Sequence, residues 1–164
     1  MNALDLPAAP LKHERAPASP ADILHAARGR TDATEGAYAG AVTPREAWTL
    51  FAAGRAKLID VRTAAELRYV GQVPQALHAE WRGKDAPQVE AFVAALGALA
   101  TPADTLLFLC RSAVRSHHAA AAATRAGFAH SYNVLEGFEG QRNHAQQRGL
   151  VDGWRRQGLP WIQD

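Results

Sequence analysis

Residues 106–116 read Leu-Leu-Phe-Leu-Cys-Arg-Ser-Ala-Val-Arg-Ser, and this stretch decides the fold class of the 164-residue chain. The run Thr105–Leu109 is the most apolar in the sequence and leads directly into Cys110 and a polar loop. An apolar run of this length predicts a buried strand, and an alanine-rich helix is predicted from Ser116 to Ala126. Buried strands that alternate with helices are typical of a parallel sheet covered on both faces.

The rest of the chain repeats this alternation of short apolar runs and helix starts. The predicted strands are Tyr38–Val42, Lys57–Val61, Leu77–Trp81, Thr105–Leu109 and Ser131–Leu135. A Ser or Thr followed three positions later by an acidic residue predicts helix starts at Ser19, Thr43 and Thr63. Apolar periodicity predicts a further helix over Asp85–Leu99. The sequence therefore predicts an α/β fold, a parallel sheet flanked by helices on both faces in a single domain.

Composition bounds the organisation of the chain. The apolar fraction is 48%, and 36 of the residues are alanine, so the core is predicted to consist of closely packed alanine-rich helices around a few larger side chains. Residues 1–18 are rich in proline, alanine and charge without periodicity, which predicts a disordered tail. A helical extension is expected at residues 19–40, followed by the α/β domain at residues 41–164.

Charge and cysteine content exclude several classes of protein. The 18 basic and 16 acidic residues leave a net charge of +2, which argues against nucleic-acid binding through phosphate neutralisation. No run of about 18 apolar residues predicts a membrane span, and the first residues do not resemble a signal peptide. The single cysteine, Cys110, excludes an internal disulfide and a cysteine-based zinc site. The seven histidines show no ligand spacing, so no metal is expected, and the reduced thiol predicts a cytoplasmic protein.

The loop from Cys110 to Arg115 carries the candidate catalytic residues. It is predicted at the carboxyl edge of the sheet, where open α/β folds place their sites. A six-residue loop would turn several backbone N–H groups inward, and the following helix would add its positive end. Arg115 adds a fixed charge, so all three effects favour the thiolate that nucleophilic chemistry needs. The alternative, a small buried hydrophobic cysteine, does not account for the arginines and serines of the loop.

The segment Cys110–Ser116 resembles the active loop of the rhodanese family of sulfurtransferases, Cys-Arg-Ser-Gly-x-Arg-Ser, and departs from its fixed positions only at Ala113. Other segments resemble the same family in the same order: Leu58–Arg62 with Glu66, Gly71–Pro74, Asn133–Gly137, Gly153–Trp154 and Gly158–Trp161. The resemblance covers about residues 41–162 and implies one rhodanese-like catalytic module. It also implies sulfur transfer without a cofactor.

The resemblance assigns roles to the loop residues. Cys110 would take the outer sulfur of a small anionic donor such as thiosulfate as a persulfide, and mercaptopyruvate and a desulfurase partner are the other donors left open. It would pass that sulfur to cyanide, a thiol or a protein acceptor. Arg115 would bind the donor and hold the loop, while Arg111 is either a second anion contact or a solvated surface residue. The remaining predicted substrate-binding residues are Ser112, Ala113, Val114 and Ser116, of which the two serines are expected to shape the loop and start the helix.

Departures from the family pattern leave alternatives open. If the position of Ala113 requires a positive φ, the alanine costs about 1 kcal/mol. A catalytically silent module that binds a partner protein is therefore an alternative function. A cysteine phosphatase or arsenate reductase is a further alternative, although those enzymes need five residues between cysteine and arginine and this chain has four. Glu66 is expected to pair with an arginine, and Asp60 to cap the helix at Thr63 or to lie at the rim of the site. The oligomeric state is left open.

Overall fold

The computed structural model describes residues 18–164, and a parallel sheet runs through its centre. The five strands are β1 (Gly40–Val42), β2 (Lys57–Asp60), β3 (Leu77–His78), β4 (Leu106–Leu109) and β5 (Ser131–Val134). Their order across the sheet is β1-β5-β4-β2-β3, and every neighbouring pair is parallel. The α/β class is therefore confirmed. The predicted disordered tail lies outside the described residues, except for Ala18.

Helices connect the strands, and three of them begin at the predicted caps. In the described part of the chain they are α1 (Pro20–Arg28), α2 (Thr31–Thr34), α3 (Pro44–Ala52), α4 (Ala64–Val70), α5 (Ala86–Leu99) and α6 (Val114–Arg125). Ser19, Thr43 and Thr63 each accept a hydrogen bond from the backbone of the acidic residue three positions on, and that residue's carboxylate accepts one from the cap residue's N–H. These reciprocal bonds satisfy backbone donors that have no partner inside the helix.

The sheet is covered on both faces, as predicted. On one face, Phe92 and Leu96 of α5 and the consecutive buried alanines Ala119–Ala123 of α6 form a cluster with Phe108 of β4. Side chains this small allow the backbone of α6 to approach the sheet closely. On the other face, a second cluster joins α1 and α3 to the carboxyl-terminal segment around the fully buried Trp154. The two clusters place β4 in the interior of the protein.

Several element boundaries differ from the sequence prediction by one to three residues, and the differences at β3 and α6 are the ones that change the picture of the sheet edge and the candidate loop. The strand predicted at Leu77–Trp81 is ladder-paired only at Leu77–His78. The N–H groups of Ala79 and Trp81 still donate to the carbonyls of Asp60, the last residue of β2, and of Val61. Helix α6 begins at Val114, so four residues, not six, bridge β4 to the helix. The reason is the left-handed conformation of Ala113, which turns the chain directly into its first helical residue.

Helix α1 lies directly on β1. A Cβ atom at Gly40 would stand 2.5 Å from the carbonyl oxygen of Ala27, so glycine permits the close approach of helix and strand. Arg30, just after α1, donates to both carboxylate oxygens of Glu46 at 2.7 and 2.8 Å and to the carbonyl of Ala41. The residues before the predicted α/β domain are thus joined to it by packing and by an ion pair. Among the helices of residues 18–164, none is long and apolar enough to cross a membrane.

Candidate active site

The candidate loop leaves the carboxyl end of β4 and is held from one side by the segment after β5. The carbonyl of Cys110 accepts from the N–H of Phe138 at 2.8 Å. The carbonyl of Arg111 accepts from the N–H groups of Glu139 at 3.0 Å and Gly140 at 3.2 Å. Gly137 has a φ of +75° and packs so closely on Arg111 that any Cβ would collide with its carbonyl. This packing fixes the path of the loop. In the sequence, the only sign of this contact is Gly137, the glycine that follows the last strand.

Cys110 lies at the base of this loop and is 1% exposed. The Ser116 hydroxyl, fully buried in the first turn of α6, donates to its Sγ at 3.2 Å. Ser116 was expected to shape the loop and start the helix, and the structure adds a direct contact with the thiol. A hydroxyl donor at this distance stabilises negative charge on sulfur. The contact depends on the turn of the loop, so sequence spacing alone did not show it.

Ala113 occupies the position where the expected pattern has glycine, and its backbone is left-handed, with φ 71° and ψ 1°. The position therefore does require a positive φ, and the cost for a residue with a Cβ is about 1 kcal/mol. Two hydrogen bonds hold the strained residue in place. Its carbonyl accepts from the N–H of His117 at 3.3 Å and from the side-chain amide of Asn133 at 3.1 Å.

Arg115 is fixed by Glu66, as expected for that carboxylate. Its two terminal nitrogens donate to the two oxygens of Glu66 at 2.6 and 2.8 Å. Glu66 also accepts from the N–H and hydroxyl of Thr63. Burial acts to raise the pKa of Glu66, but the bonds from Arg115 and Thr63 outweigh it and lower the pKa to about 2. The pair therefore stays ionised at neutral pH and ties α6 to α4.

Asp60 has a different partner from those expected, so its assignment as a helix cap or a rim acid is wrong. It is 1% exposed and forms a buried ion pair with Arg62, whose terminal nitrogen lies 2.7 Å from the carboxylate. Thr63 itself caps α4. The Arg62 guanidinium stacks 4.1 Å from the ring centroid of Phe138, the residue whose N–H holds the Cys110 carbonyl. The Asp60–Arg62 pair thus supports the loop backbone at Cys110 through its contact with Phe138.

The other predicted residues form the rim of the loop. Arg111 is exposed, Val114 is 63% exposed, and Ser112 is half-buried. Within the described residues, none of the backbone N–H groups of 111–115 donates to a protein acceptor, so they are free to bind a ligand or water. A cavity of about 460 Å³ opens beside the loop, lined on one side by Ser112 and Val114 and on the other by Glu35.

The model of the rhodanese-like domain matches residues 43–144 of the chain. The chain belongs to the rhodanese-like domain family. Its five-stranded parallel sheet and its single buried loop cysteine are consistent with that assignment.

Solved structures share this fold, and curated relatives match part of the chain. The crystal structure of Rv0390 from M. tuberculosis is 41% identical, with a TM-score of 0.67 over 77% of this chain and 99% of that one. The polysulfide-sulfur transferase from Wolinella succinogenes is 20% identical, with a TM-score of 0.52 over 90% of this chain and 95% of that one, and shows the same fold. The uncharacterized protein RC0915 of Rickettsia conorii is 39% identical over 56 residues, which is 34% of this chain and 40% of that protein's length. The match thus spans less than half of that curated relative.

This rhodanese-like domain combines groups suited to an anionic sulfur species. A buried thiol, a hydroxyl donor and free N–H groups meet at the amino-terminal end of α6. The partial positive charge of a helix end stabilises a thiolate or a bound anion there. Such an arrangement can activate a nucleophilic cysteine.

Proposed function

We propose that this rhodanese-like domain is a sulfurtransferase that carries a sulfane sulfur on Cys110. The observation that carries the proposal is the placement of the thiol. It lies at the start of α6, receives the Ser116 hydroxyl at 3.2 Å and is followed by a loop of free N–H groups. These groups favour the thiolate and give a terminal persulfide sulfur several donors. The family assignment supports the same chemistry.

The first half-reaction loads the cysteine. The Cys110 thiolate attacks the outer sulfur of a donor such as thiosulfate, a new S–S bond forms, and the donor's own S–S bond breaks. The bond's electron pair leaves with sulfite, and the persulfide retains one negative charge. Because charge and sulfur balance, the step requires neither a metal nor a redox cofactor. Mercaptopyruvate would load the same atom by cleavage of its C–S bond, whose electron pair leaves with the enolate of pyruvate. A protein persulfide would do so by cleavage of its S–S bond, whose electron pair leaves with the donor thiolate.

The second half-reaction removes the sulfur from Cys110. An acceptor, which is cyanide, a thiolate or a protein thiol, attacks the outer sulfur of the persulfide. The S–S bond to Cys110 breaks, and its electron pair restores the thiolate for the next cycle. The chemistry needs a reduced cysteine, so we propose a cytoplasmic location.

The arginines of the loop would have separate tasks. Both terminal nitrogens of Arg115 bind Glu66, so its main role would be to hold the loop, with its remaining N–H groups left for the donor. Arg111 is exposed and would make the first contact with an anion. Ser112, Ala113 and Val114 would offer their backbone N–H groups to the outer sulfur.

A second candidate function is a catalytically silent module that binds a partner protein. It is favoured by the 1% exposure of Cys110 and by the strained Ala113, which replaces the expected glycine. The two candidates differ in one observable, because only a sulfurtransferase accepts sulfur on its cysteine.

Steady-state production of thiocyanate from thiosulfate and cyanide tests the proposal. We expect turnover by the native chain and none above background by Cys110→Ser, which keeps the size of the side chain. Mercaptopyruvate should be tried as donor in parallel. Absence of turnover with both donors, in a folded protein, would favour the silent module.

A further inference from the structure

The segment 139–149, which follows the last strand, brings basic side chains to the active loop. Arg148 donates from Nη1 to the carbonyl of Gly140 at 2.7 Å. The N–H of the same Gly140 donates to the carbonyl of Arg111 at 3.2 Å. Gly140 therefore links the Arg148 guanidinium to the backbone of Arg111, the residue after Cys110, through two hydrogen bonds.

Arg148 is one of the residues that line a cavity of about 360 Å³. The other lining side chains are those of Arg155, Arg156 and Trp161, and Trp161 is 39% exposed. A volume of this size fits the head group of a small ligand. Trp161 supplies an apolar surface, and the three guanidinium groups supply positive charge.

The charge of this cavity is weakly compensated. Glu139 lies 3.9 Å from Arg155. Over residues 18–164, no ion pair engages Arg111, Arg142, Arg148 or Arg156. Burial first, and then the positive charges of Arg111 and Arg142, lower the pKa of Arg148. An anion bound beside Arg148 would offset the repulsion from Arg111 and Arg142 as well as attract the Arg148 guanidinium.

We propose that this cavity, lined by Arg148, Arg155, Arg156 and Trp161, binds the anionic head group of the thiol that takes the sulfur from Cys110. The inference rests on the proposed function and specifies its acceptor as a thiol that carries phosphate or carboxylate groups. The acceptor thiolate attacks the outer sulfur of the persulfide, the S–S bond to Cys110 breaks, and the Cys110 thiolate leaves. The head group stays bound and positions the attacking sulfur.

Sulfur transfer from the persulfidated full chain to three acceptors tests this inference. The acceptors are coenzyme A, which carries phosphates, glutathione, which carries carboxylates, and 2-mercaptoethanol, which carries no charge besides its thiol. We expect Arg148→Gln to lower kcat/KM for an anionic thiol, relative to 2-mercaptoethanol, about tenfold. The acceptor with the larger loss identifies the head group.

Two further variants make the test specific. Arg156→Gln removes a cavity guanidinium that makes only one long backbone contact, to Leu150 at 3.3 Å, so it tests the cavity if Arg148→Gln does not fold. Arg125→Gln is the matched control, because this exposed arginine ends α6, about 18 Å from the loop at 1.5 Å per residue. Arg125→Gln should leave unchanged the ratio of kcat/KM for the anionic thiol to kcat/KM for 2-mercaptoethanol. An unchanged ratio in both cavity variants would overturn the inference while sulfur transfer itself stands.

Direct binding separates this inference from the proposed function. Calorimetric titration of Cys110→Ser with coenzyme A and with glutathione requires no sulfur transfer. We expect binding of one of them that weakens about tenfold in the Cys110→Ser, Arg156→Gln double variant. Absence of binding by both would contradict the head-group site. Failure to form a persulfide, with binding retained, would contradict the proposed function and the acceptor role but leave the head-group site standing.

Discussion

At the scale of single residues, the active loop depends on a conformation that its sequence disfavours. Ala113 is left-handed at the point where the loop becomes α6, and its carbonyl is fixed by His117 and Asn133. A residue in such a conformation persists only when its surroundings stabilise it by more than the strain costs. The strain therefore shows how firmly β5 and α6 hold the loop.

Ala113→Gly is expected to leave the stability of the fold unchanged or to raise it slightly. Glycine relieves the left-handed strain of about 1 kcal/mol but costs about 0.5–1 kcal/mol through its freedom in the unfolded chain, so we expect the free energy of unfolding to rise by about 0–0.5 kcal/mol. Urea denaturation measures the change. Ala94→Gly, at an exposed position inside α5, is the matched control and should lower the free energy by about 1 kcal/mol. Equal destabilisation by both substitutions would contradict the assignment of strain to Ala113.

Ser116→Ala is expected to slow the loading of Cys110. The variant loses the hydroxyl donor 3.2 Å from Sγ, and a hydrogen bond to a charged acceptor is worth about 1.5 kcal/mol, or roughly tenfold in rate. The measurement is the single-turnover rate of sulfite release from thiosulfate. Ser112→Ala, whose hydroxyl has no hydrogen bond in the described residues, should have a much smaller effect. Equal losses in the two variants would show that the Ser116 contact has no special role.

At the scale of elements, the Arg115–Glu66 ion pair is the link that joins α6 to α4. Glu66 also closes the capping box of α4 through Thr63. One carboxylate therefore serves both the start of a helix and the position of the active loop.

The stabilising effect of Glu66 is expected to disappear in acid. Its pKa in the folded protein is about 2, against 4.5 in the unfolded chain, so the unfolded state binds the proton first. The contribution is fully present above pH 4.5 and is lost as the pH falls toward 2. Because the pair is partly solvated, we discount the effect to about 1–2 kcal/mol.

Urea denaturation of the native chain and Glu66→Gln measures this contribution. The difference in unfolding free energy should be constant from pH 7 to about 5 and shrink toward zero near pH 2. Glu90→Gln, at an exposed position on α5, should show no difference over the same range. A difference between the native chain and Glu66→Gln that grows on acidification would contradict the direction of the shift.

Helix caps and most strands were predictable from the sequence, whereas side-chain contacts that depend on the folded loops were not. Caps such as Thr43 were found because donor and acceptor lie three residues apart. The expectation that Glu66 pairs with an arginine was correct, but the sequence did not say which arginine. The Ser116 contact with Cys110 and the Asp60–Arg62 pair were missed because they depend on the turn of one loop and on a buried environment. The arginines of segment 139–149 have no periodicity to indicate their position.

At the scale of the whole molecule, α1 is packed into the second core through Ile23 and Ala27. This helix precedes residues 43–144, the part that matches the family model. It packs so closely on Gly40 that a side chain at position 40 would collide with the backbone of α1. The stability of the protein should therefore depend on residues outside the matched region.

Gly40→Ala is expected to destabilise the protein by about 1–3 kcal/mol, because a Cβ 2.5 Å from the Ala27 carbonyl forces α1 away from β1. Thermal unfolding measures the loss. Gly97→Ala makes the same substitution inside α5, where no atom lies within 4 Å of the added Cβ. There we expect a gain of about 0.5–1 kcal/mol from helix propensity. Similar stability in the two variants would show that α1 is not a structural part of the domain.

The intact mass of the reduced protein after incubation with thiosulfate tests the central claim most directly. We predict a gain of one sulfur atom on the native chain, located by peptide mapping to Cys110, reversed by cyanide and absent from Cys110→Ser. An unchanged mass with both thiosulfate and mercaptopyruvate, in protein shown to be folded, would contradict the account.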